Sequence, residues 1–297
     1  LSMVKNNAIW MSPLFILIWS TGFIIARYGM PHAEPLTFLA IRFFGVILIL
    51  MPCILWFKAP WPSKSQIVHL AIAGVLIQFG YLAGVWIAIR HGMPVGLTAL
   101  IVGLQPILTA VFVSLLAEKI TRSQWQGLFL GLFGVFLVLY AQINTAGVNA
   151  QTIFFNITGL LSITVGTIYQ KKYCAQFDLR TGSLIQFITS LGLATIGAFL
   201  FETREVEWVL ELIGALVWGI VGISIGAMSL LFILIRRGNA TKVSSLMYLT
   251  PPTTAIMGWI LFNEPLTVLV GLGTLLTMLG VLIVNQTISC NFLRRFD

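Results

Sequence analysis

At 297 residues, 58% of them hydrophobic and only 9% charged, with a mean hydropathy of +0.99, the chain has too little polar surface for a soluble domain. A formal net charge of +8 would suggest nucleic acid in a soluble protein, but here no nucleic acid is expected and the placement of the charges carries the meaning. The cysteines (Cys53, Cys174, Cys290) and histidines (His32, His69, His91) are scattered without metal-ligand spacing, so neither a disulfide framework nor a metal or other cofactor is expected.

A helix that crosses a bilayer takes about 20 apolar residues. Apolar stretches at roughly 8–27, 35–57, 66–89, 94–117, 124–141, 152–172, 181–201, 208–235, 240–262 and 268–288 predict ten of them. The first runs on into Arg27 with no small-residue cleavage site and reads as a retained helix. Its Trp19-Ser20-Thr21-Gly22-Phe23 patch reads either as close helix packing or as a substrate contact. The second opens at Pro35 and holds Arg42 about 10 Å into the bilayer, where an arginine either anchors the helix or recognises a carboxylate. The third offers Gln78 and Tyr81 as cavity candidates, with Trp86 read as part of an interfacial aromatic belt. The fourth carries Gln105 and Pro106, and the fifth is introduced by the capping-box pattern Thr121-x-x-Gln124. The sixth repeats the small polar patch from Thr164 to Tyr169. The ninth brings Ser244, Ser245, Tyr248, Thr250, Pro251 and Pro252.

The basic residues orient the spans. With the N-terminus inside, thirteen of the seventeen fall on cytoplasmic segments and only Arg27, Arg42, Arg90 and Arg204 fall at outer ends. Both termini are then cytoplasmic and the number of spans is even. Five of the nine acids (Glu34, Glu202, Glu205, Glu207, Glu264) fall outside.

Displaced by 146 residues, the chain meets itself. Arg90 falls on Arg236, Gly92 on Gly238, Pro106 on Pro252, Glu118 on Glu264, Thr121 on Thr267, Gly127 on Gly273 and Gly134 on Gly280; Thr21 and Thr167 keep the same offset. The expected fold is all-α and integral to the membrane, with ten transmembrane helices in two five-helix repeats, 8–141 and 152–288. An odd number of helices per repeat inverts the second copy relative to the first, the arrangement that underlies alternating access in transporters.

Pro106 and Pro252 fall near the bilayer middle, where each removes a backbone donor. They read either as kinks that shape the bundle or as broken backbone lining a cavity. Glu118 and Glu264, at helix ends, read as gating or structural turns rather than as substrate ligands. The glycines at 127, 131 and 134 and at 271 and 273 imply close helix packing within a monomer, with a homodimer face as the alternative. No phosphate loop, HExxH, paired aspartates or nucleophile elbow is present, so no enzyme is expected. Apart from Glu211, every carboxylate lies at a membrane edge or in a loop. Coupling through a buried acid therefore finds no support, and a facilitator or exchanger driven by the substrate gradient is expected.

The stretch from Trp19 to Tyr28 resembles the first helix of the drug/metabolite transporter superfamily, in its ten-helix branch with two EamA domains. Arg42-Phe43 resembles the arginine–phenylalanine of that family's second helix. Pro106, Glu118 and Gly127 to Gly134, then Pro252, Glu264 and Gly273 to Gly280, resemble the end of each domain. The resemblance covers nearly the whole chain and implies a bacterial inner-membrane exporter of small metabolites, with a cavity lined by helices 1, 3, 4, 6, 8 and 9. One departure is visible: the second copy has Gln186 where the first has Arg42.

The residues and the resemblance together predict a secondary transporter in the lipid bilayer, moving a small molecule outward by alternating access. An amino acid or derivative is the first expectation. Its carboxylate would meet Arg42 or a half-helix amino end near Pro106 or Pro252, with aromatic walls from Trp19, Tyr81, Tyr169 and Tyr248. The alternative within transport is a drug, nucleotide sugar or polyol; the alternative outside it is a non-transporting membrane protein.

Overall fold

A computed structural model describes residues 2–93, 98, 101–115, 120–140, 148–174, 176–237, 243, 245–262 and 267–293. The described residues form ten α-helical segments. They are α1 (Ser2–Gly29), α2 (Pro35–Trp56), α3 (Lys64–Arg90), α4 (Gln105–Leu115), α5 (Arg122–Tyr140), α6 (Ala150–Tyr173), α7 (Leu179–Phe201), α8 (Leu210–Arg237), α9 (Thr250–Phe262) and α10 (Val268–Leu293). No strand is formed among the described residues; a single bridge pairs Ala33 with Val206. By length and composition α2, α3, α6, α7 and α8 can each cross a membrane. Exposed apolar side chains such as Phe44, Leu48, Phe129, Phe133, Ile196 and Phe199 stud the outer surfaces of α2, α5 and α7, as lipid-facing helices require.

Local chemistry explains several boundaries. Pro35 opens α2 at a position where its missing N–H costs nothing. Ser63 and Gln66 form a reciprocal capping box at the start of α3, and Asn149 and Thr152 form one at the start of α6. Thr121 and Gln124 do the same before α5, as their spacing predicts.

The helices match in pairs across the sequence offset. Shifted by 146, α3 falls on 210–236, almost the whole of α8. Both helices also widen into π-helix midway, at Val75–Gly80 and Gly219–Ala227, and the offset carries the first onto 221–226, within the second. Packing follows the same exchange. The most extensive contact joins α5 to α10, where backbones touch: a Cβ on Gly134 would lie 2.6 Å from the Gly273 carbonyl, and one on Gly280 would lie 2.5 Å from the Gly127 carbonyl. These two contacts are each other's image under the offset. α2 packs on α7, where Phe43 and Phe187, 144 residues apart and so two short of that offset, meet at 5.6 Å. α1 contacts α8 and α9, as α6 contacts α3 and α4.

One end of the bundle gathers the end of α1, the start of α2 and the ends of α3 and α7. Arg90 donates to the Met30 carbonyl at 2.9 Å, and Glu202 accepts from the Leu36 and Thr37 amides at 2.7 Å each. The opposite end gathers the end of α2, the starts of α3 and α7, and the ends of α6 and α8. There Thr181 donates to the Pro60 carbonyl at 2.9 Å, Lys171 to the Ile235 carbonyl at 3.0 Å, and Arg236 to the Phe177 carbonyl.

The sequence left Pro106 and Pro252 either as kinks within spans 94–117 and 240–262 or as broken backbone there, and the described residues show no simple kink. Instead Gly103-Leu104 form a turn and Pro106 is the second residue of α4, while a 3₁₀ turn at Leu246–Leu249 precedes Pro251 and Pro252 in the first turn of α9. Proline's fixed φ and absent N–H suit a helix start, so each proline opens a new segment. Trp86 is also corrected: it is 4% exposed and internal, not part of a belt.

Candidate functional site

The structure gathers Trp19, Arg42 and Tyr81 around one cavity, together with Gly22 and Ala26 from α1, Val85, Trp86 and Ile89 from α3, Val102, and Ile223 and Met228 from α8. Its volume is about 40 Å³. That is room for about three waters, so an amino acid can occupy it only after the helices part.

Arg42 is its only charged wall among the described residues. The side chain is 1% exposed, and its stem passes over Gly219, where a Cβ would come within 3.4 Å of Arg42 Cδ. Arg42 Nε donates to Ser224 Oγ at 2.8 Å, and the guanidinium carbon lies 5.9 Å from the Trp86 ring centroid. Arg42 Nη2 is buried with no hydrogen-bond partner. An orphaned donor on a buried cation is costly, and it is one a ligand carboxylate can satisfy. Trp19 and Tyr81 form an aromatic wall, their rings nearly parallel (8°) with centroids 6.1 Å apart.

The other candidates fall into groups. Gln78 lies in the π segment of α3, fully buried, with both amide atoms unpartnered. Thr21 donates to the Ile18 carbonyl and accepts from Trp218 Nε1 at 2.7 Å, which ties α1 to α8; it does not line the cavity. Gln105 and Pro106 are buried in the first turn of α4, and Pro252 is buried in that of α9. Tyr248 is fully buried with an unpartnered hydroxyl, and its ring fills the space beside Gly131 of α5. Tyr169 lies apart from the cavity: its hydroxyl is 2.7 Å from His69 Nδ1 and its ring centroid 4.7 Å from that of Tyr173. Ser244, Glu118 and Glu264 lie outside the described residues. The lining therefore draws on α1, α2, α3 and α8, with α2 contributing Arg42 where the resemblance implied other helices.

Sequence reasoning missed Trp86 and Ser224. Ser224 has no signal of its own, but the 146-residue offset carries Gln78 onto it, so the repeat could have found it.

The charges at the two ends are fixed by local bonds. Partial burial pushes the Glu34 carboxyl up, but hydrogen bonds from the Thr203 hydroxyl and the Arg204 and Thr203 amides outweigh it. With help from the Arg90 charge they hold Glu34 below the usual glutamate range. At the opposite end the paired Arg180 guanidinium (2.8 Å) holds Asp178 down.

The sequence pattern of the EamA-like transporter family matches residues 7–140 and again 150–286. The chain belongs to this family. Among its relatives, a Salmonella typhimurium protein named "Probable amino-acid metabolite efflux pump" is 25% identical over 282 residues, covering 91% of this chain and 92% of its own. An Escherichia coli protein of the same name is 24% identical over 297 residues, covering 91% and 92%. The E. coli protein named "Uncharacterized inner membrane transporter YedA" is 23% identical over 253 residues, covering 84% and 81%. A solved crystal structure superposes on 95% of this chain and 98% of its own with a TM-score of 0.77 at 17% identity, a likeness of fold. As an EamA member the protein is a membrane-embedded transporter of small molecules and not an enzyme.

Proposed function

We propose that this protein exports a small carboxylate-bearing metabolite, an amino acid or a derivative of one, through the Arg42 cavity. The observation that carries this reading is the buried Arg42 guanidinium with one face unpartnered, set between the Trp86 and Trp19–Tyr81 rings. The names of the Salmonella and E. coli relatives agree with it.

The transport cycle follows from the paired helices. α1 and α6, α2 and α7, and α3 and α8 are matched by sequence, yet their corresponding ends appear at opposite ends of the bundle. Arg90 holds the end of α1 at one end, and its match Arg236 holds the residues after α6 at the other. This supports ten spans in two inverted five-helix repeats, 8–141 and 152–288, whose exchange of conformations opens the cavity alternately to each face. The lysine-rich end, with Lys58, Lys64, Lys171 and Lys172, is then cytoplasmic, as are both termini. The protein's setting is a bacterial inner membrane, and the α5 glycines Gly127 and Gly134, which face α10 of the same chain, support helix packing within a monomer over a dimer face.

The test is growth of overexpressing cells on a panel of toxic amino-acid analogues. Resistance to one analogue class, lost in Arg42→Gln while the protein remains in the membrane, is the expected result. Uniform sensitivity across the panel would overturn the amino-acid reading and favour drugs or polyols.

A further inference from the structure

The cavity is short of one negative charge. Arg42 is buried among Trp86, Ser224 and Tyr81, and no acid or histidine lines the same space among the described residues. The sequence extends the point: Glu34, Glu118, Asp178, Glu202, Glu205, Glu207, Glu211, Glu264 and Asp297, the chain's nine acids, all fall between the apolar stretches, beside an end of one, or in the last residues of the sequence. A buried guanidinium without a counter-charge is costly, and a carboxylate reaching Nη2 removes that cost. A zwitterion supplies the carboxylate but also brings an ammonium, for which the lining holds aromatic faces and no carboxylate.

Resting on the export reading above, we propose that the preferred substrate carries a net charge of −1: an amino-acid derivative whose amine is acylated or absent, with an apolar side chain against Trp19 and Tyr81. No carboxylate or histidine lies in the described lining to carry a compensating proton with it. Each turnover therefore moves one negative charge outward, and an inside-negative membrane potential drives export. This assigns the driving force that the lack of a buried coupling acid leaves open.

The test uses three probes that share a phenyl side chain: N-acetyl-L-phenylalanine (anion), L-phenylalanine (zwitterion) and 2-phenylethylamine (cation). Quenching of tryptophan fluorescence in the purified wild-type protein should rank them in that order. The anion should bind about 10- to 100-fold tighter than the zwitterion, the range of a charge-assisted hydrogen bond. In proteoliposomes with valinomycin and tenfold higher potassium outside, N-acetyl-L-phenylalanine should accumulate about tenfold, because a monovalent anion follows the potential. Arg42→Gln, checked as monodisperse, should erase the difference between anion and zwitterion; if it does not fold, the wild-type series still decides. L-phenylalanine binding or moving better than the N-acetyl anion, or anion uptake indifferent to the potassium gradient, would overturn the charge inference and leave the export reading standing. No flux of any probe, joined to uniform sensitivity on the analogue panel, would overturn both.

Discussion

Arg42 and Gln186 occupy matching places in two matching helices, and they differ in almost everything else. α2 and α7 pack together through their paired phenylalanines, Phe43 and Phe187. Arg42 reaches across to Ser224 of α8; the repeat mate of Ser224 is Gln78, on α3. Gln186 instead donates to Gln170 Oε1 of α6 at 3.0 Å, and both of these neutral amides, Gln170 and Gln186, leave one amide atom unpartnered. A buried neutral amide tolerates a missing partner at a cost of about 1–3 kcal/mol. A buried guanidinium tolerates it far less well. On the proposed reading the matched helices supply the motion, and Arg42, which the second copy lacks, supplies the selectivity.

The largest effect should come from breaking the frame itself. At Gly134 and Gly280 the neighbouring atoms are backbone, so an added side chain must push α5 and α10 apart. Gly134→Leu and Gly280→Leu should both destabilise the protein by more than the ~1–3 kcal/mol of ordinary overpacking. Because the two positions are images of each other, their losses in thermal unfolding by fluorescence size-exclusion should be alike. A tolerated leucine at either one would show that the α5–α10 seam does not hold the two copies together.

Next comes the comparison of Arg42 with Gln186. Arg42→Gln, which makes the first copy resemble the second, should lower transport about 10- to 100-fold. Gln186→Leu, which removes a neutral amide of similar size, should lower it only about 2- to 10-fold. Flux measured in vesicles at equal protein content separates them. Equal losses would mean that both halves recognise substrate.

The repeat was legible because its marks are residues with strong backbone demands. Arginine at a span end, proline at a helix start and glycine at a backbone contact each leave few substitutes, and α3 and α8 followed from the offset almost residue for residue. Arg42 was legible as a lone basic residue inside an apolar run. What the sequence hid lies in hydrogen-bond register. The π segments Val75–Gly80 and Gly219–Ala227 shift the helical phase, and no residue pattern announces i→i+5 bonding. Counted on an ideal helix, Trp86 only partly shares a face with Gln78 and Tyr81; in the folded chain it faces Arg42. The turn at Gly103-Leu104 was hidden likewise, and it turns Pro106 from a kink into a helix start.

A smaller asymmetry lies at the amino ends of the same two helices. α7 is capped by its own Asp178, which accepts from the Arg180 amide at 2.9 Å. Glu34 makes no side-chain cap on α2; its first amides are held by Glu202, at the far end of α7 in the other copy. Both caps are worth about 0.5–2 kcal/mol, but only the Glu202 cap joins the two copies. Glu202→Ala should therefore cost stability and also raise the access of a thiol placed at Val85, as that end parts. Asp178→Ala should cost stability alone. Thiol labelling that rises equally in both would reduce Glu202 to a local cap.

The weakest effect is the pH dependence of Glu34, beside that cap. Its folded value lies below its unfolded one, so its stabilisation is present above the ordinary glutamate value of about 4.3 and is lost as pH falls through the folded value. The carboxyl is largely exposed, so the gain is modest and weakened by salt. Hydrogen exchange at the amides of Thr203 and Arg204, corrected for intrinsic rates, should speed up as pH drops through the acid range. Glu34→Gln should flatten that profile while the amides beyond Glu207 stay unchanged. A profile that keeps its slope in Glu34→Gln would show that Glu34 is not the group whose titration loosens these amides.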